Sequence, residues 1–389
     1  MPFRVLAGLP SRNEASTIAT VTTDLDAAVG TLPFPAETLL VNADNASTDG
    51  TPGLFLATTT KSPKHVITTA GAAGKGASTI ALLQFGCEQG FDAIISVDTD
   101  LAEVPASWIH AMLGAIHDGA AVCYPLRPPA WNGADLTYQI AYPVLAAVFG
   151  ADLREPLCGD IAVSRHAAQR ILAEPWTTRE LRYGGDFLIA ALAVAQPWQA
   201  VALDRKRRNK LRSFSAAPGG GYRMGQKFAD NALTVQHRAA LRLRQEPPGE
   251  LMPSPSHTPA EPGAIVPADD PDIALLAKST ARQLREDARN GAFTVFPSPL
   301  ASQLKIHATS GEATMGLPWP TWRDCLVAWI RDHDAPAGYA IPVELLETLF
   351  LNRVVGHHTE IAGTRGWYAT VLGQAQDLFT HRHALWVRP

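Results

Sequence analysis

The feature that most constrains this chain is a repeated alternation near its start. Four short apolar runs, "FRVLAG" (3–8), "ETLLVN" (37–42), "KHVITT" (64–69) and "DAIISV" (92–97), are separated by polar loops and by stretches with helical spacing. Ile18, Val21, Leu25 and Val29 repeat at that spacing behind a start for which Asn13 or Ser16 supplies the cap. "TIALLQFGCEQ" does the same after the third run. Strands alternating with helices predict an α/β fold with a mainly parallel sheet. Such sheets collect ligands at the carboxyl ends of their strands, so the polar loops are set to converge on one crevice.

Length and composition narrow the class. The chain has 389 residues, 46% of them apolar, enough for a large domain with an appended piece. A net charge of -4 gives no nucleic-acid or membrane-surface signature. Cys87, Cys123, Cys158 and Cys325 are scattered with no metal-ligand spacing, which predicts free thiols in a reduced, cytoplasmic setting. No signal core follows the N-terminus, and runs such as "FLIAALAVAQ" (187–196) are too short to span a membrane.

The organisation read from the sequence is a first domain over 1–245, with halves at about 1–120 and 121–245. A Pro-rich linker or long surface loop follows over 246–272, then a helical region over 273–389. That last region carries Trp319, Trp322, Trp367 and Trp386 and is a candidate homodimer surface.

Several motifs sit at the strand ends. Asp98 and Asp100, in "VDTDL", either mark the strand's exit into water or offer hard oxygen ligands to Mg²⁺ or Mn²⁺. In "DNASTDGT" (44–51), Asp44 either accepts hydrogen bonds from a base or ribose or belongs to a plain turn, and Asp49 suits a helix cap. "GAAGKGAS" (71–78) offers backbone N–H groups and Lys75 to a phosphate or sugar, or is a glycine turn; its spacing is not that of a Walker A loop. Asp186, in "YGGDF", is either an N-cap or a carboxylate aimed at the crevice. The basic run 204–214, with Arg212, is either a solvated face or a neutraliser of diphosphate, and the glycine-rich stretch after it reads as a mobile loop.

In this order, "LPSRNEASTI", "VNADNASTDGT", "GKGAS", "VDTDL", "NGADLT", "REPLCGDIAVSR" and "YGGDF" resemble the GT-A fold of nucleotide-sugar glycosyltransferases. Within that fold they are most similar to the retaining enzymes of compatible-solute synthesis, mannosylglycerate synthase and glucosyl-3-phosphoglycerate synthase, over roughly residues 4–240. The resemblance implies a metal-dependent hexosyl transfer from UDP-glucose or GDP-mannose to a small anionic acceptor such as glycerate or 3-phosphoglycerate. It implies that Pro10, Arg12 and Glu14 surround the nucleotide, with Asp44 near the base. Lys75, and Arg212 in the basic run, would contact the donor. Asp98 and Asp100 would frame the metal, Arg127 and Thr137 would face the acceptor, and Gly159, Asp160 and Asp186 would lie at the sugar. Two departures stand out. "NKLRSF" occupies the place of a metal-binding histidine, and "CGD" has an aspartate where those families carry a glutamate. A nucleotidyltransferase and a non-catalytic nucleotide-sugar-binding relative are the competing readings.

Overall fold

The structure is a computed structural model that describes residues 2–69, 74–101, 103–126, 135–202, 215–217, 221–253, 266–334, 340–365 and 367–386. It divides into two compact units. The first comprises residues 1–130, 155–210 and 254–258; the second comprises 131–154, 211–253 and 259–389.

The first unit carries β1 (Phe3–Ser11), α1 (Ile18–Val29), β2 (Ala36–Asp44), α2 (Thr51–Ala57), β3 (Lys64–Thr68) and α3 (Lys75–Glu88). It continues with β4 (Ala93–Ser96), α4 (Ala106–His117) and β5 (Val122–Leu126). The second unit holds α5 (Tyr142–Phe149). The chain then returns to the first unit for β6 (Ile161–Ser164), α6 (Arg165–Ala173), α7 (Gly185–Ala193) and β7 (Trp198–Ala202).

These seven strands form one sheet in the order β3-β2-β1-β4-β6-β5-β7. Every pairing is parallel except those of β6, which runs antiparallel to β4 and to β5. The α/β class and the mainly parallel sheet are as the sequence predicts; the reversed strand was not legible. Between β5 and β6 the chain contributes residues 131–154 to the second unit, and β6 then runs antiparallel to β4 and β5. That reversal puts Asp160, the residue before β6, level with the end of β4.

Packing follows from the sequence. Val5 to Leu9 of β1 are buried on both faces, as a central parallel strand requires. On one face, Ile18, Val21 and Leu25 of α1 meet Trp108, Ile109, Met112 and Leu113 of α4 in a single core cluster. On the other face α3 lies very close. A β-carbon on Gly8 would come within 2.6 Å of Leu82, and one on Gly86 within 2.5 Å of Ile94.

The helix starts differ from expectation. The residue before α1 is Thr17, with no side-chain cap, and neither Asn13 nor Ser16 fills the role. Asn13 instead turns left-handed, at φ 56°, and its Oδ1 accepts from Thr48 N–H. Gly50, at φ 85°, precedes α2, while Asp49 accepts from Thr51 N–H one position earlier.

The second unit contains the β8 (Ser215–Ala217) and β9 (Gly221–Arg223) hairpin, α8 (Gln226–Arg242) and α9 (Pro271–Arg289). It continues with α10 (Ser298–Thr309), α11 (Trp319–Arg331), α12 (Val343–Ile361), α13 (Trp367–Thr380) and α14 (His383–Trp386). The helical C-terminal region is therefore present, and residues 131–154 and 211–253 group with it. Its interior holds buried polar side chains. The Arg353 side chain, fully buried, pairs with both oxygens of Glu360 at 2.6 Å and donates to Gln139 Oε1 at 2.9 Å. Gln139 lies in a π-helical turn, Thr137–Ala141, that leads into α5. The described ends of the stretch expected as linker or surface loop are pinned. Met252 exchanges backbone hydrogen bonds with Gly150 and Asp152, and Val266 does so with Gly363 and Thr364. Among the described residues, no helix is long and apolar enough to cross a membrane.

Candidate functional site

Two loops at the carboxyl edge of the first unit are stitched together. Asn13 N–H donates to Ser47, Glu14 N–H to Thr51 Oγ1, and Ala15 N–H to Asp49. Asp44 ends β2 and is buried; its Oδ2 accepts from Ser47 N–H, while Ser11 Oγ donates to Oδ1 at 3.4 Å. Thr99, between the two aspartates of "DTD", donates to the Pro10 carbonyl at 2.9 Å. Pro10, Asp44 and the Asp98–Asp100 turn therefore share one edge, with Arg12 exposed and Glu14 half-buried beside them.

Lys75 is the centre of the site. It is the first residue of α3, preceded by Gly74 and followed by Gly76. These glycines make a close helix contact rather than a free loop. A β-carbon on Gly76 would fall 2.0 Å from the Glu180 carbonyl oxygen, and one on Gly74 would fall 2.2 Å from the Arg182 α-carbon. Asn45 fastens the same point, accepting from Gly74 N–H and donating to the Gly74 carbonyl. The π-helical turn Glu180–Gly184 that presses on these glycines leads straight into α7, so Asp186 sits in the first turn of α7 and Gly184, not Asp186, is its N-cap.

As a result Lys75 Nζ lies 2.5 Å from Asp98 Oδ1 and 3.7 Å from Asp186 Oδ2. Asp160 Oδ1 accepts from the Asp98 backbone N–H at 2.7 Å. Burial alone would lower the lysine's pKa. The charges of Asp186, Asp98 and Asp160 outweigh it and hold the ammonium well above its ordinary range. The side chains remain partly open to solvent, at 26% for Lys75, 20% for Asp98 and 18% for Asp186. A protonated lysine framed by carboxylates and reachable from outside is suited to trade one anionic partner for another.

Divalent-cation binding can be tested on the same residues. Among the described residues no group of three or more His, Cys, Asp or Glu side chains is arranged to hold a metal ion, and Asp98 is already engaged by Lys75. The half-buried Asp100, with Asp98, supplies two hard oxygen donors two positions apart. That suits an ion completed by phosphate oxygens, the usual situation of Mg²⁺, rather than an all-protein cage.

Of the residues singled out from the sequence, Lys75, Asp98, Asp160, Gly159 and Asp186 are brought together, and Pro10, Arg12, Glu14, Asp44 and Asp100 line the adjoining edge. Thr137 opens the π-helical turn of the second unit. Arg127, Arg212 and the basic run lie outside the described residues. Sequence reasoning missed Asn45, which stands next to a residue it marked, Asp44.

An open, mainly parallel α/β sheet with a lysine–carboxylate site at its strand ends defines the class. No protein-family model and no curated protein matches the chain. Among solved structures it is similar to glucosyl-3-phosphoglycerate synthase from Mycobacterium tuberculosis in complex with Mn²⁺, UDP-glucose and phosphoglyceric acid. That match has 19% identity over 61% of this chain and 80% of the other, with a TM-score of 0.46. The same enzyme with Mg²⁺ and UDP matches at 20% identity over 61% and 79%, with a TM-score of 0.46. Its complex with Mn²⁺, UDP-glucose and glycerol 3-phosphate matches at 19% over 61% and 80%, with a TM-score of 0.45.

Proposed function

We propose that this protein is a glycosyltransferase that moves a hexose from a nucleotide-diphosphate sugar to a small anionic acceptor. The observation that carries this reading is Lys75 held between Asp98 and Asp186, with Asp160 tied to the Asp98 backbone, at the carboxyl edge of the sheet. The motif order of the sequence supports it.

Glycosyl transfer builds positive charge at the sugar's C1 and negative charge on the departing diphosphate. Lys75, kept protonated by its neighbours, is the group that turns to the diphosphate and neutralises it. Asp186, released from Lys75, faces the sugar and stabilises its developing cation or orients the acceptor hydroxyl. Asp160, fixed to the Asp98 N–H, holds the turn that carries both aspartates. Asp44 and the loop around Pro10 and Glu14 receive the base and ribose. Asp100, with Asp98 once Lys75 has moved, would hold Mg²⁺ or Mn²⁺, which supplies further charge neutralisation on the leaving group when bound. Retention of configuration fits Asp186 as a stabilising group rather than an inverting base.

The test is incubation with UDP-glucose or GDP-mannose, Mn²⁺ or Mg²⁺, and D-glycerate or 3-phosphoglycerate. Acceptor-dependent release of UDP or GDP is expected. Pyrophosphate release from a nucleoside triphosphate would instead identify a nucleotidyltransferase. Tight nucleotide-sugar binding with no turnover on a broad acceptor panel would identify a binding protein.

A further inference from the structure

One buried group beside this site has no place in the mechanism above. Tyr124, on β5, is 1% exposed, and its hydroxyl makes no hydrogen bond among the described residues. A buried hydroxyl without a partner destabilises a resting protein, so its persistence calls for a partner in another state.

Sheet register places the side chain. β5 and β6 pair Cys123 with Ala162, and β6 and β4 pair Ile161 with Ser96. One step further along, Tyr124 falls beside Ile161, next to Asp160. Cys123 belongs to the core cluster on the α1–α4 face. Alternation therefore turns Tyr124 to the opposite face, the one covered by α3, at whose start Lys75 meets Asp98 and Asp186. Burial first, then the charge of Asp186 and the Cys158 thiol, hold the phenol well above its ordinary pKa, so it is a hydrogen-bond donor at any working pH.

We propose that Tyr124 is a positioning residue for Asp186, its hydroxyl donating to the Asp186 carboxylate once Lys75 leaves that carboxylate for the donor diphosphate. The exchange keeps Asp186 aimed while Lys75 is in use. In the resting state Lys75 holds Asp186 and the tyrosine hydroxyl is unpaired, which is the arrangement observed.

This inference rests on the glycosyl-transfer reading. Its test compares wild type, Tyr124→Phe, Asp186→Asn and the double variant in melting temperature, KM and kcat, with UDP-glucose and the acceptor panel. Phenylalanine keeps the ring and removes only the unpaired hydroxyl, so Tyr124→Phe is expected to melt at or above wild type. Its KM for donor and acceptor should hold while kcat falls about tenfold, one hydrogen bond's worth. In the Asp186→Asn background the same change should cost nothing further. An unchanged kcat, or an equal loss in both backgrounds, overturns the inference. Failure of the parent reading shows separately, as a wild-type protein that releases no UDP. The coupling is then read in the Lys75→Met background, where Asp186 lacks the lysine: Tyr124→Phe should lower the melting temperature there but not in wild type, and an equal effect in both overturns the inference.

Discussion

The Lys75 ammonium lies 1.3 Å from where a β-carbon on Gly159 would stand. Only a glycine at 159 lets the lysine cross to Asp98 and Asp186. The glycine of "CGD" is thus part of the charge cluster although it carries no functional group.

Gly159→Ala is therefore expected to expel the lysine. The displaced atoms are the far end of a flexible chain, so melting should move by only a few degrees. Misplacing a catalytic cation by about 1 Å costs on the order of 100-fold in rate, and a loss of that size in kcat is the expected readout. Steady-state kinetics with near-wild-type turnover would show that Lys75 has another route to its partners.

Lys75→Met removes the shared cation and leaves Asp98, Asp160 and Asp186 to repel one another. Turnover should fall about 100-fold or more, and the variant should unfold at lower urea than wild type at neutral pH. The sign follows from linkage. The lysine's pKa is raised in the folded state, so its stabilisation is complete below the ordinary value of 10.5 and is lost only as pH rises through the higher folded value. Urea midpoints should accordingly differ between wild type and variant at pH 7 and converge in strong alkali.

Asp186→Asn keeps the shape and removes the charge that, in the proposed reading, faces the reacting sugar. Loss of one transition-state electrostatic contact is expected to lower kcat about 100-fold. Calorimetry should still show nucleotide-sugar binding. Undiminished turnover would sink the assignment of Asp186 to the reaction.

Asp100→Asn addresses the cation. In the proposed reading Asp100, two positions after Asp98, helps to hold a donor-borne Mn²⁺. The variant should need a higher Mn²⁺ concentration for half-maximal transfer, while binding of metal-free UDP stays near wild type. An unaltered Mn²⁺ titration would remove Asp100 from the site.

In the second unit, Arg353→Met tests stability apart from chemistry. Arg353 is fully buried while Glu360 is partly open to solvent, so the loss of charged hydrogen bonds costs about 2 kcal/mol, and the donor to Gln139 Oε1 is removed as well. For Glu360, burial raises the pKa, but hydrogen bonds and charge from Arg353 outweigh it and hold it below 4.5. That stabilisation is present above the ordinary carboxylate range and is lost as pH falls through the folded value. Urea unfolding should therefore separate the two proteins most at neutral pH and least in acid.

The local pattern carried much of this protein. Apolar runs of strand length, helical spacing at Ile18, Val21 and Leu25, and acids at strand exits depend on neighbours in sequence, and they made the α/β class legible and pointed to the residues gathered around Lys75. The cap expected at Asn13 or Ser16 failed because the Asn13 side chain is taken by a loop more than thirty residues away, at Thr48. Whether "GKG" was a phosphate loop or a plain turn could not be decided locally, since its glycines answer to Glu180 and Arg182. The reversal of β6, the passage of Lys75 over Gly159 and the orphaned hydroxyl of Tyr124 were likewise decided by tertiary structure alone. Each depends on how closely two distant segments approach, and that distance is set by the packing of the whole unit rather than by the residues on either side.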